Sequence, residues 1–112
     1  MTADPLANLE ITPEDVKKRL DRGENFLFVD VREPWEYETT RIEGSKLIPL
    51  REIPMNLATL ESADSVVLFC HHGMRSLDAA AWLRSQGVDG AQSMTGGIER
   101  WSTEIDPTVR RY

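Results

Sequence analysis

Cys70 is the one cysteine of a 112-residue chain, and it stands where an apolar run, Val66-Val67-Leu68-Phe69, gives way to the polar stretch His71-His72-Gly73-Met74-Arg75-Ser76. A thiol at such a junction is delivered by a buried strand to the edge of a sheet. Beyond a short glycine turn, the segment from Ser76 to Arg84 reads as a helix. The N–H groups of the turn and of the helix start then face the sulfur, a field that favours thiolate over thiol. Arg75 closes the turn, and the adjacent His71 and His72 add positive charge or hydrogen bonds. The chemistry this pattern suits is nucleophilic: Cys70 as the attacking group, with His71, His72, Gly73, Met74 and Arg75 meeting its substrate.

Two plainer readings compete with that one. Free cysteines commonly serve as small buried apolar side chains, yet a packing role does not require His-His-Gly-x-Arg next door. A metal site is the other. Cys70, His71 and His72 are consecutive, three consecutive side chains seldom converge on one ion, and the chain has no second Cys/His cluster. Neither a metal nor any other cofactor is therefore expected.

The elements that must position Cys70 alternate in type, with no internal repeat and no low-complexity segment. Leu9-Glu10-Ile11 is a short strand, followed by a helix over 13–22 with Thr12 as its cap, Pro13 in its first turn, Asp15 reaching back, and Gly23 at its end. Phe26 to Val31 is nearly all apolar, as a strand covered on both faces should be, and it carries Asp30 towards its carboxyl end. A shorter strand at 46–50 is cut off by Pro49, and residues 53–60 form a helix. The nucleophile strand spans 66–70, the long helix 76–86 stops at Gly87, and a weak last strand covers 90–93. Gly96-Gly97 opens a terminal helix through Trp101. This order puts helices on both faces of a mostly parallel sheet, with Asp30 and Cys70 sharing the carboxyl edge where α/β proteins bind ligands.

At this length the chain is expected to be one domain, residues 1–112, able to bury about two-thirds of its unfolded surface. A lone cysteine, no basic-then-apolar leader and no apolar stretch of spanning length give a cytoplasmic expectation, with no membrane partner. The formal net charge of -6 speaks against a nucleic-acid surface. A positive loop on a negative protein suits a small anion.

Taken in order, Asp30-Val31-Arg32-Glu33-Pro34-x-Glu36-Tyr37, Ile42-Glu43-Gly44, Ile48-Pro49-Leu50, Cys70-His71-His72-Gly73-Met74-Arg75-Ser76 and Gly96-Gly97-Ile98-x-x-Trp101 make the chain resemble a single-domain rhodanese, a sulfurtransferase. The resemblance covers nearly the whole chain. It implies a three-layer αβα sandwich around a five-stranded, mainly parallel sheet whose first strand runs antiparallel to the rest. It also implies that Cys70 takes a sulfane sulfur from thiosulfate, a persulfide or a polysulfide and passes it to cyanide, a thiol or a sulfur-carrier protein. Asp30 and Arg32 match the family's Asp-x-Arg and are expected to pin the loop after their strand through an ion pair. Where the family commonly has Gly-His-Ile, this chain has Thr40-Arg41-Ile42, which leaves its donor preference open.

Two alternatives stand beside this reading. One is a non-catalytic sulfur-relay or binding module. The other is a cysteine phosphatase or arsenate reductase, whose loop places five residues between cysteine and arginine; Cys70 and Arg75 have four, a tighter ring that fits one sulfur better than a phosphate.

Overall fold

The computed structural model describes residues 6–112. Its centre is set by Val66–Phe69, which forms strand β4 with every side chain buried. Because side chains alternate along a strand, Val66, Leu68 and Cys70 join one apolar core, while Val67 and Phe69 join the other on the opposite face. Such a strand needs cover on both sides, and helices supply it.

The remaining strands are β1 (Glu10–Ile11), β2 (Leu27–Asp30), β3 (Lys46–Leu47) and β5 (Ala91–Met94), in spatial order β1-β5-β4-β2-β3. All four pairings are parallel. On one face, α3 (Leu57–Glu61) and α4 (Met74–Ser85) contribute Leu60, Ala79, Ala80 and Leu83 to the core. On the other, α1 (Pro13–Asp21), α5 (Gly97–Arg100) and the π-helical turn Trp101–Ile105 contribute Val16, Ile98 and Trp101. The result is the expected αβα sandwich around five strands.

The direction of β1 corrects an expectation. It pairs with β5 in parallel, Glu10 opposite Ser93 and Ile11 opposite Met94, rather than antiparallel. The physical reason is α1, which follows β1 at once, starting from a Thr12 cap that accepts the N–H of Asp15 at 3.1 Å. A helix that crosses back over the sheet returns the chain to the end from which β1 set out, so β2 and β1 run the same way.

Other differences are local. Helix α4 begins at Met74, two residues before the expected start, because the carbonyl of Gly73 already accepts the N–H of Leu77 at 3.0 Å. The segment 53–60 divides into a 3₁₀ turn at Pro54–Asn56 and α3, after another such turn at Leu50–Glu52. A helix not anticipated, α2 (Pro34–Thr39), follows β2; Pro34 fits its first turn, and the Glu36 carboxylate takes the N–H of Glu33 in a capping box.

Asp30 lies opposite Phe69 in the β2–β4 register, so the loops after both strands leave from one edge. There the connections diverge, β2 leading to β3 on one side and β4 to β5 on the other. This is the switch point at which open parallel sheets form their crevice.

Candidate functional site

Cys70 follows β4 at that switch point and is only 1% exposed. Its Sγ accepts hydrogen bonds from the N–H of Gly73 at 3.1 Å and of Ser76 at 3.4 Å. Ser76 is the third residue of α4, and Gly73, the cap residue, has no side chain with which to satisfy the helix start. The sulfur therefore occupies the place an N-cap oxygen fills in other helices, where donors and the helix dipole favour negative charge. Gly73 suits this turn because its φ of +113° lies in the left-handed region, and a Cβ would come within 3.3 Å of the Gly96 nitrogen.

A pair of buried hydroxyls adjoins the sulfur. Ser76 Oγ lies 3.5 Å from Sγ, 2.8 Å from Ser93 Oγ and 3.2 Å from the Gly73 carbonyl oxygen, to which it can donate. With Ser93 donating to Ser76, the Ser76 proton is free to turn from that carbonyl to a negatively charged sulfur. The loop's own carbonyls are held from α5: Ile98 N–H donates to Cys70 O at 2.8 Å and Glu99 N–H to His71 O at 3.1 Å.

Arg75 does not close the loop on itself. Its guanidinium forms a two-pronged pair with Glu36, Nη1 to Oε1 at 2.7 Å and Nη2 to Oε2 at 3.0 Å. The Glu36 side chain is 4% exposed, and its carboxylate is saturated by these two bonds, the Glu33 N–H at 3.0 Å and the Tyr112 hydroxyl at 2.5 Å. Burial pushes the Glu36 carboxyl up, but the donors from Arg75, Tyr112 and Glu33 outweigh it and hold the pKa at about 2.

Asp30 and Arg32 form a fully buried pair, Nη2 to Oδ2 at 2.7 Å. All five guanidinium N–H groups of Arg32 have partners: Nε on Asp30, Nη2 on Asp30 and the Thr40 carbonyl, Nη1 on the Glu36 carbonyl and the Tyr112 hydroxyl. By binding carbonyls at the end of α2, Arg32 fixes the helix that presents Glu36 to Arg75. The bonds of this pair reach the Cys70 loop only through Glu36 and Tyr112. Sequence reasoning quoted Glu36 within the motif Asp30–Tyr37 but gave it no role, and it passed over Ser93 and Tyr112. The signal that could have found Glu36 is its capping-box spacing from Glu33; Tyr112 and Ser93 had none.

The two histidines lie over this network. His71 stacks on Tyr112 with ring centres 3.9 Å apart and planes 8° apart, and on its other side lies His72 at 3.9 Å and 26°. Burial, then the neighbouring His72, holds His71 below the ordinary histidine value. His72 Nε2 lies 4.0 Å from Glu99, whose other oxygen takes Arg111. Met74 is exposed, and Arg41 lies over the ring of Tyr37, 4.2 Å from its centre.

His71, His72 and Glu99 bring one ligand atom each within 4.8 Å of one another. Imidazole lone pairs lie in the ring planes, however, and two stacked rings aim them side by side rather than at a common point. With Glu99 also neutralised by Arg111, this trio is built as a stack and an ion pair. Two surface hollows, about 280 Å³ beside Phe26 and Thr59 and about 190 Å³ beside Pro54 and Trp82, do not include Cys70 among their lining residues.

Residues 12–104 match the family described as Rhodanese-like domain. The chain is 35% identical over 104 residues to a probable adenylyltransferase/sulfurtransferase, MoeZ, of Mycobacterium tuberculosis, covering 91% of this chain but only 26% of that protein. A sulfurtransferase of Allochromatium vinosum is 33% identical over 100 residues, with 89% of this chain and 94% of that one covered. In structure, a rhodanese-like domain protein from Staphylococcus aureus superposes with a TM-score of 0.78 at 29% identity, over 92% of this chain and 97% of that chain. The chain spans about a quarter of the length of the first relative and nearly all of the second. A thiol seated on a helix start at the switch point of a parallel sheet, together with these matches, leads to one assignment: the chain belongs to the rhodanese-like domain family.

Proposed function

We propose that this protein is a sulfurtransferase that carries sulfane sulfur as a persulfide on Cys70, in a cytoplasmic setting where its lone thiol stays reduced. One observation carries the reading: Cys70 Sγ accepts two backbone N–H groups, from Gly73 and Ser76, at the start of α4. Those donors are fixed before reaction, so they stabilise a negative sulfur without reorganising.

In the first half-reaction the Cys70 thiolate attacks the outer sulfur of a small anionic donor such as thiosulfate. The new S–S bond forms as the donor's own breaks, and sulfite leaves with the electron pair. An acceptor thiolate, or cyanide, then attacks the outer sulfur of the persulfide, and Cys70 departs as thiolate. With no second cysteine in the sequence, the acceptor must be another molecule, which makes the scheme ping-pong. Because Cys70 is 1% exposed, the donor's sulfur is admitted only as loop side chains move aside. His71 to Arg75 form the walls of that opening, and a thiol or sulfur-carrier protein is the acceptor that fits them.

Phosphate or arsenate chemistry fits less well. The arginine fork that would clamp a tetrahedral oxyanion is already occupied by Glu36. Initial rates with thiosulfate and cyanide, compared with rates on an aryl phosphate, test the reading. Parallel double-reciprocal lines with thiosulfate and no phosphate release are expected; phosphate release without sulfur transfer would overturn it.

A further inference from the structure

Building on transfer through Cys70, we propose that Tyr112 is a positioning residue that aligns Arg75, by way of Glu36, and braces His71 across the Cys70 loop. Tyr112 is 42 residues beyond the cysteine in sequence and lies in no helix or strand. Three separate contacts nonetheless tie it to this one site.

Its hydroxyl donates to Glu36 Oε2 at 2.5 Å and accepts from Arg32 Nη1 at 3.0 Å. The polarity is forced: arginine can only donate, so the single hydroxyl proton must go to the carboxylate. That arrangement needs a protonated phenol. Burial, joined by the Glu36 bond and opposed by Arg32, pushes the Tyr112 pKa up to about 12, so the proton stays in place through the neutral range. Glu36 is thereby turned so that both its oxygens meet the Arg75 fork.

The ring does a second job. It lies parallel to His71 at 3.9 Å and receives Trp35 edge-on, ring centres 6.0 Å apart and planes at 85°. His71 follows the nucleophile directly, so fixing its ring restrains the first residue of the loop after Cys70. Arg32 is the hub that sets the height of this platform, binding Asp30, the end of α2 and the Tyr112 hydroxyl together. Tyr112 thus orders both flanks of the loop, Arg75 through Glu36 and His71 by direct stacking.

Tyr112→Phe and Tyr112→Ala separate the two jobs, since phenylalanine keeps the ring and loses only the hydroxyl. The measurements are steady-state transfer from thiosulfate, side-chain NMR of the Arg75 guanidinium, and the pH titration of His71 by NMR. For Tyr112→Phe, we expect a fall in kcat of about three- to tenfold, a shifted Arg75 resonance and an unchanged His71 titration. For Tyr112→Ala, we expect a further fall of about tenfold and a His71 titration moved up towards the ordinary histidine value as its ring loses cover.

A folded Tyr112→Ala protein with wild-type kcat and unmoved His71 and Arg75 signals would overturn the proposal. If the alanine variant does not fold, Tyr112→Phe decides alone, and an unchanged kcat with an unshifted Arg75 resonance overturns it. Should the wild type transfer no sulfur while both NMR signals still follow Tyr112, the positioning stands and the sulfur-transfer reading falls.

Discussion

Arg75 shows how a residue's role depends on its partner. Its charge alone would serve to attract an anion, but the fork is spent on Glu36, whose carboxylate is buried and fully hydrogen-bonded. Lysine in its place keeps the charge and loses one prong, since an ammonium cannot meet both carboxylate oxygens in the fixed geometry of a guanidinium. Arg75→Lys should therefore lower kcat for transfer from thiosulfate by about tenfold or more while the fold stays cooperative. A near-normal kcat with a raised KM would mean that Arg75 acts as a point charge only. Of this candidate site, the junction of strand, Cys70 and glycine turn was legible because it is contiguous in sequence, whereas Arg75, expected to close that turn, turns instead to Glu36. That partner was not legible: Glu36 lies 39 residues away, and the identity of an ion pair across that distance is set by tertiary placement of α2.

Among the elements, α5 matters less for its length than for where its first residue sits. Gly97 has φ +59°, and a Cβ there would lie 2.3 Å from Cys70 O and 2.5 Å from His71 O, the carbonyls that α5 holds by hydrogen bonds. Gly97→Ala should cost more than ~2 kcal/mol, the left-handed strain plus the clash, and should slow persulfide formation. Gly44→Ala is the matched control. Its φ of +87° carries strain, but nothing lies within 4 Å of a Cβ, so about 1 kcal/mol and full activity are expected in urea unfolding and transfer assays. Equal effects at both positions would remove α5 from the account. Strand β4 and the body of α4 could be read from the sequence because an apolar run and a glycine-bounded helix announce themselves. Helix α2 could not: six residues give no apolar stripe, and Pro34 with the Glu33–Glu36 spacing marks no more than its start. The direction of β1 was misjudged for a different reason: it was taken from the family resemblance, whereas a two-residue strand carries no directional signal of its own and the crossover through α1 decides it.

Across the whole molecule, Asp30, Arg32, Tyr112, Glu36 and Arg75 form one polar network that joins β2, α2, the carboxyl-terminal segment and the Cys70 loop. Its acid sensitivity follows from Glu36. The folded pKa, about 2, lies below the ordinary 4.5, so the carboxylate's contribution is fully present above that ordinary value and is lost as pH falls towards 2. The contribution is on the order of 3 kcal/mol. Urea unfolding of the wild type and Glu36→Gln should differ most at neutral pH, with the gap closing between about pH 5 and pH 2; a constant gap would show that Glu36 is not held ionised by the fold. The central claim, that Cys70 carries sulfur, is tested most directly by the mass of the intact protein after exposure to thiosulfate. The account predicts a gain of one sulfur atom on the wild type, removed by a thiol reductant and absent from a folded Cys70→Ser variant. No gain with thiosulfate, a polysulfide or a persulfide donor, or a gain that survives Cys70→Ser, would contradict it.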